Sequence, residues 1–183
     1  IRSIFNRSII EYDMKSANTS LAREFDLLPE DKIRQIEAMD KQKRVITIGC
    51  LKRDDPTYND REKVAFSAAR KLFFDQNDIS ENDIVAIKKD AIFTMKYVEH
   101  EKVGKYINFR KKHEYTSFLN LKPLEVYYNK EGLCIKGMDD EMYKSFHSEY
   151  FGALISDIIR RMENGDEALH MELLLYLGLD FLL

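Results

Sequence analysis

Cysteine and glycine are scarce in this chain, with 2 and 7 among 183 residues. Cys50 and Cys134 are too few for a disulfide framework and do not have zinc-type spacing, so they read as reduced, intracellular thiols. The glycines are scattered, which excludes a Gly-rich phosphate loop. No apolar run approaches the length that spans a bilayer, so no membrane partner is expected. The start, Ile1-Arg2-Ser3-Ile4-Phe5, lacks both an initiator Met and a signal-peptide pattern; a processed chain or a piece of a longer one is expected. His100, His113 and His147 show no ligand spacing, and no local signature assembles a Ser/His/Asp set.

The composition is that of an ordered protein. Hydrophobic residues make up 44% and charged residues 33%, enough core for one good-sized domain or two small ones. The net charge of -3 is unevenly spread. Residues 137–183 hold 3 Lys/Arg against 10 Asp/Glu, whereas residues 85–115 hold 8 against 4. A basic middle with an acidic tail suits an anion lying along the middle; a solvated strand pair gives the same pattern.

Read along the chain, 8–14 predicts a strand and 16–25 a helix that Ser16 or Asn18 can cap. A second helix is expected over 28–39, with Pro29 in its first turn. The β-branched run RVITIGCL, 44–51, predicts a strand. Helical spacing of Val64, Ala68 and Leu72, and of Phe66, Ala69 and Phe73, predicts a long helix over 59–76. Residues 83–88 and 91–97 read as a β-hairpin with Asp90 at its tip. Further strands are expected over 105–109, 115–121, 124–128 and 133–136. From 139 onward the pattern is helical with a break at Asn164-Gly165, and the tail from Leu173 is apolar enough to need a packing partner. This order makes the chain α+β.

Two carboxylates, Asp13 and Asp90, thus stand where strands end. Side by side in one antiparallel sheet they would converge and repel, and a cation would keep both ionised. Oxygen ligands with few neutral partners suit Mg²⁺, which keeps waters and accepts substrate phosphates. Two such ions can activate a 3′ hydroxyl and stabilise a leaving pyrophosphate. The helix start after Asp13 offers backbone N–H groups to a triphosphate.

The stretch from Asp13 to Leu21, DMKSANTSL, resembles the first palm motif of family B DNA polymerases, D-x-x-S-L-Y-P-S-I. Lys88 to Phe93, KKDAIF, resembles the hairpin motif D-T-D-S-[IL]-F, with Asp90 at its second acid. The resemblance implies a mostly antiparallel, palm-like sheet with helices packed on one face. It assigns Asp13 and Asp90 as catalytic Mg²⁺ ligands and Ser16 and Asn18 to the nucleoside triphosphate. The sequence departs from the family pattern in three places. Lys88 stands at the hairpin's first acid, Ala91 replaces its Ser, and Asn18 replaces the Tyr that excludes ribonucleotides. The middle motif has no clean counterpart. Its place falls to the 59–76 helix, where Lys63 and Arg70 lie two turns apart as candidate triphosphate contacts. Lys88, Lys89, Arg110, Lys111 and Lys112 are the candidate nucleic-acid contacts for a primer-template.

The same residues have plainer readings. Asp13 can serve as a helix-start acid and Asp90 as a turn residue, with Lys88 and Lys89 neutralising it. Lys63 and Arg70 can be a solvated helix face. Glu167 and His170 resemble half of a di-iron motif without a second copy, and read as helix surface. The resemblance divides the chain into a palm-like domain, 1–137, with a helical insert at 22–82, and a helical, thumb-like segment, 138–183. The expected activity is template-directed nucleotidyl transfer. The alternative is a non-catalytic module that binds nucleic acid or protein, with a protein partner at the apolar C-terminal helix.

Overall fold

A computed structural model describes residues 2–121, 124–137, 148–177 and 181–182. The chain is α+β. Its elements are β1 (Ser3–Ile4), β2 (Ile9–Met14), α1 (Ala17–Glu24), α2 (Glu30–Glu37), α3 (Lys41–Asp54), α4 (Pro56–Gln76), β3 (Ile84–Ile87), β4 (Ala91–Thr94), β5 (Phe109–Tyr115), β6 (Ser117–Leu121), β7 (Leu124–Asn129), β8 (Gly132–Lys136), α5 (Ser148–Glu163), α6 (Glu167–Leu177) and β9 (Phe181–Leu182). They form two compact units, one of residues 11–112 and one of residues 1–10 with 113–183. The sequence reading divides the chain at 137 instead.

In the unit of residues 11–112, β2 lies between β4 and β5 in a sheet ordered β3-β4-β2-β5. Phe73 of α4 packs on Tyr12 of β2 at 5.5 Å and on Phe109 of β5 at 4.5 Å, centroid to centroid. Phe73 and Phe109 are fully buried, and truncating such a ring costs about 3–5 kcal/mol. α4 starts at Pro56, with the Asp55 carboxylate accepting from the Tyr58 amide at 3.0 Å. Its buried stripe runs through Tyr58, Glu62, Phe66, Ala69 and Phe73, whereas Val64 and Leu72 of the other periodic set are exposed. α1 follows β2 through Ser16, which is left-handed (φ 49°). Its hydroxyl makes no cap; its carbonyl accepts the Thr19 and Ser20 amides instead.

The strand expected over 44–51 is part of the helix α3. Asp40 caps its start by accepting from the Lys43 amide at 2.9 Å, and Lys52 and Arg53 stand in its last turn, where cations suit the helix dipole. Only Ile48 is buried on α3, while Val45 and Ile46 are 63% and 58% exposed. The β-branched run yields to capping and to the Lys52–Glu62 ion pair with α4. Residues 105–109 do not form the expected strand either: Lys102 and Asn108 share one isolated bridge and β5 begins at Phe109. The segment 95–108 is instead pinned by side chains. Tyr12 Oη accepts the Val98 amide, Asn77 bonds the backbone of His100 on both sides, and Glu24 accepts the amides of Lys105 and Tyr106. Gly104 lies close beside Glu24: a Cβ there would come 2.7 Å from a Glu24 carboxylate oxygen, so the Glu24 side chain would have to shift.

The other unit contains a sheet ordered β8-β7-β6-β1-β9, antiparallel except that β9 pairs parallel to β1. The expected strand over 115–121 is split at Thr116 between β5 and β6. The register Leu119↔Val126 sets one face of β6 and β7 against α5 and α6. There Phe5, Leu119, Val126, Ile155, Ile159, Met162, Leu169 and Leu173 form one apolar cluster. Phe118 and Tyr127 pair on the other face, 4.9 Å apart. The break between α5 and α6 falls at Asn164-Gly165 as expected, with Gly165 at φ 76°. Part of the expected C-terminal helical region, 138–147, lies outside the described residues. The apolar tail packs in part within its own unit, through Leu173, while Leu175 is 72% exposed.

Candidate functional site

Alternation along β2 sends Tyr12 and Met14 to one face and Glu11 and Asp13 to the other. On β5, Phe109 and Lys111 alternate with Arg110 and Lys112 in the same way. Tyr12 and Phe109 both meet Phe73, so the charged set shares the opposite face. Arg110 Nη2 lies 4.0 Å from Asp13 Oδ2, and Lys112 Nζ lies 3.7 Å from Glu11 Oε1. One step further along, the Lys15 amide donates to the Asn108 carbonyl at 2.9 Å. Glu11 is 1% exposed, a buried acid beside a second acid that is only partly open to solvent.

Asp90 reaches this place from the other side of β2. The Met14 amide donates to the Asp90 carbonyl at 2.8 Å, which ties the hairpin tip to the residue after Asp13. Burial pushes the Asp13 carboxyl above the ordinary aspartate value. The charges of Asp90 and Glu11 add to the rise, and Lys112 and Arg110 oppose it. The two acids singled out in the sequence, 77 positions apart, are thus brought into one neighbourhood by the backbone bond at Met14.

The hairpin is closed by the Ile87↔Ile92 register and by the Lys88 amide donating to the Ala91 carbonyl at 2.8 Å. The Lys89 amine turns toward α4. Its Nζ lies 3.8 Å from Glu62 Oε2 and 5.2 Å above the Phe66 ring, and the Lys89 carbonyl accepts from Arg70 Nη1 at 3.1 Å. Lys52 of α3 pairs with the same Glu62 oxygen. Burial and the nearby Lys52 amine push the Lys89 amine below the ordinary lysine value, and burial lowers Arg70 as well.

The remaining sequence-predicted residues are placed as follows. Ser16 is exposed at the start of α1, and Asn18 Oδ1, in its first turn, is buried without a hydrogen-bond partner, as is Asn108 Oδ1. Lys63 is exposed and paired with Asp60 at 2.9 Å. Lys111 lies on the face opposite Arg110 and Lys112, its Nζ 5.1 Å above the Tyr97 ring. The fold thus sets Asp13, Arg110 and Lys112 on one face, ties the Asp90 backbone to the residue after Asp13, and separates Lys63 and Lys111 from that face. Sequence reasoning missed Glu11, Lys52 and Glu62. Glu11 was discoverable from period-2 alternation with Asp13. The four-residue spacing of Glu62, Phe66 and Arg70 marks one face of α4, a signal that the seven-residue pairing of Lys63 with Arg70 obscures.

Carboxylate oxygens are the ligands a hard divalent cation prefers, but here Arg110 and Lys112 stand beside Asp13 and Glu11, and burial is the main cause of the raised Asp13 carboxyl. Among the described residues, no group of three or more His, Cys, Asp or Glu is arranged to hold a metal ion. Among them, too, no helix is long and apolar enough to cross a membrane.

The chain belongs to the Bacteriophage PBS1 gene 130 protein family, whose model matches residues 1–183. No curated protein and no solved structure matches it.

Proposed function

We propose that the unit of residues 11–112 is a palm-like centre for template-directed nucleotidyl transfer on a primer-template. One observation carries the reading: the Met14 amide donates to the Asp90 carbonyl at 2.8 Å, which ties the hairpin tip to the residue after Asp13. Asp13 and Asp90 would hold Mg²⁺. When bound, it supplies charge for activating a 3′ hydroxyl and for stabilising the leaving pyrophosphate. The chain's own residues do the rest. Arg110 and Lys112 line the same face as Asp13 and are free to turn toward backbone phosphates once a cation offsets the acids. Ser16 and Asn18, at the start of α1, offer a hydroxyl and an amide beside a helix N-terminus to the triphosphate.

Primer extension with Mg²⁺ on wild type, Asp13→Asn and Asp90→Asn tests the reading. Incorporation by wild type, with a loss of roughly 100-fold or more in each variant, supports it. Equal incorporation by Asp90→Asn overturns the catalytic assignment.

A second reading has its own observation. Arg110 stands 4.0 Å from Asp13 and Lys112 3.7 Å from Glu11, so this chain's own cations already offset its acids. On that reading the fold binds nucleic acid without catalysis, or a protein through Met171 and Leu175 of α6, which are 52% and 72% exposed. Binding to a primed template with no incorporation by wild type selects the nucleic-acid form.

A further inference from the structure

We infer that Lys89 is a positioning residue: α4 grips it to hold the hairpin tip, and with it Asp90, against Met14. The inference rests on the proposed role of Asp90. It removes Lys89 from the nucleic-acid contacts and Arg70 from the triphosphate contacts.

Three residues one turn apart on α4 converge on this lysine. Glu62, 2% exposed, faces its amine at 3.8 Å; Phe66 lies under the amine at 5.2 Å; Arg70 donates to its carbonyl at 3.1 Å. Each engages a different part of one residue, so both the side chain and the backbone at the tip are fixed. The next residue is Asp90, whose carbonyl receives the Met14 amide at 2.8 Å. Glu62 is itself held by Lys52 of α3, so the grip extends through two helices. A buried carboxylate without cations is costly, and Lys52 and Lys89 together offset it. A lysine committed in this way has little freedom to follow a mobile phosphate. A hairpin tip without this grip would depend on one short turn for its position.

The test compares Lys89→Met, Lys89→Arg and Arg70→Met with wild type by amide hydrogen exchange. The Lys89 side chain is 57% exposed, so Lys89→Met leaves the core intact. The Met14 and Lys88 amides should exchange about 10-fold faster in Lys89→Met and Arg70→Met, with Lys89→Arg near wild type. The Thr116 amide, bonded to the Tyr128 carbonyl in the other unit, is the unaffected reference. Unchanged Met14 exchange in Lys89→Met overturns the inference. In primer extension, Lys89→Met should lower kcat and leave the KM for nucleoside triphosphate unchanged. A raised KM with kcat unchanged would make Lys89 a phosphate contact and also overturn it. If wild type incorporates nothing, the catalytic reading fails while the exchange measurement still decides the grip.

Discussion

The amide of Met14 and the carbonyl of Asp90 are joined at 2.8 Å, although 76 positions separate them in the chain. That bond sets a hairpin tip against the end of the central strand of a four-stranded sheet. It places the backbone of one acid next to the strand that carries the other. Side-chain packing on one face of the strand, Tyr12 on Phe73, leaves the other face to charge.

Asp13 should destabilise the metal-free protein near neutral pH. Its carboxyl is raised above the unfolded value by burial first, with Asp90 adding to the rise. The folded state therefore binds the proton more tightly, and stability falls as pH climbs from the ordinary aspartate value through the raised one. Asp13→Asn should raise Tm at pH 7 and leave it nearly unchanged below the ordinary aspartate range. Added Mg²⁺ should raise the Tm of wild type but not of Asp13→Asn or Asp90→Asn, because only the folded state binds it. Thermal melts across pH, with and without Mg²⁺, check both; a wild-type Tm indifferent to Mg²⁺ would speak against the metal site.

Binding to a primed template should weaken steeply with salt, as lysine and arginine displace counterions from phosphate. Arg110→Ala and Lys112→Ala should each reduce the slope of log K against log salt by about 1. Lys63→Ala, which alters an exposed lysine paired with Asp60, should leave the slope unchanged. Fluorescence anisotropy titrations at several salt concentrations measure this directly; a flat response in wild type removes the nucleic-acid face.

The helical state of α3 gives a stability prediction. Ile48 is buried and Ile46 is 58% exposed, so Ile48→Ala should cost about 2–4 kcal/mol and Ile46→Ala less than about 0.5 kcal/mol. Urea denaturation of the two variants checks it. Equal costs would contradict this face assignment.

Local signals made much of this fold legible. A short apolar run with a β-branched pair gave β2, helical spacing of Phe66, Ala69 and Phe73 gave α4, and the glycine after Asn164 gave the break between α5 and α6. Where the signal was composition alone, it misled. The run from Arg44 to Leu51 is β-branched, yet Asp40 caps it and Lys52 anchors it, and those terminal interactions outweigh propensity. Residues 105–109 look like a strand, but their backbone is held by Glu24, a partner about 80 positions away that no local pattern reveals. Asp13 and Asp90 were readable because one lies near a strand end and the other in a hairpin turn, whereas Glu11 was missed. The counter-charges were only partly readable. Arg110 and Lys112 stood in a basic run, and which of its members meet the acids depends on how β5 aligns with β2.

That alignment has a consequence for any attempt to neutralise the face. Shifting β5 by a single residue against β2 would turn Phe109 and Lys111 toward Glu11 and Asp13, and would bring Arg110 and Lys112 against Phe73. The charge pairs therefore act as a phase marker that rejects the slipped pairing, and an apolar substitute for Glu11 or Asp13 would weaken that discrimination as well as altering the chemistry.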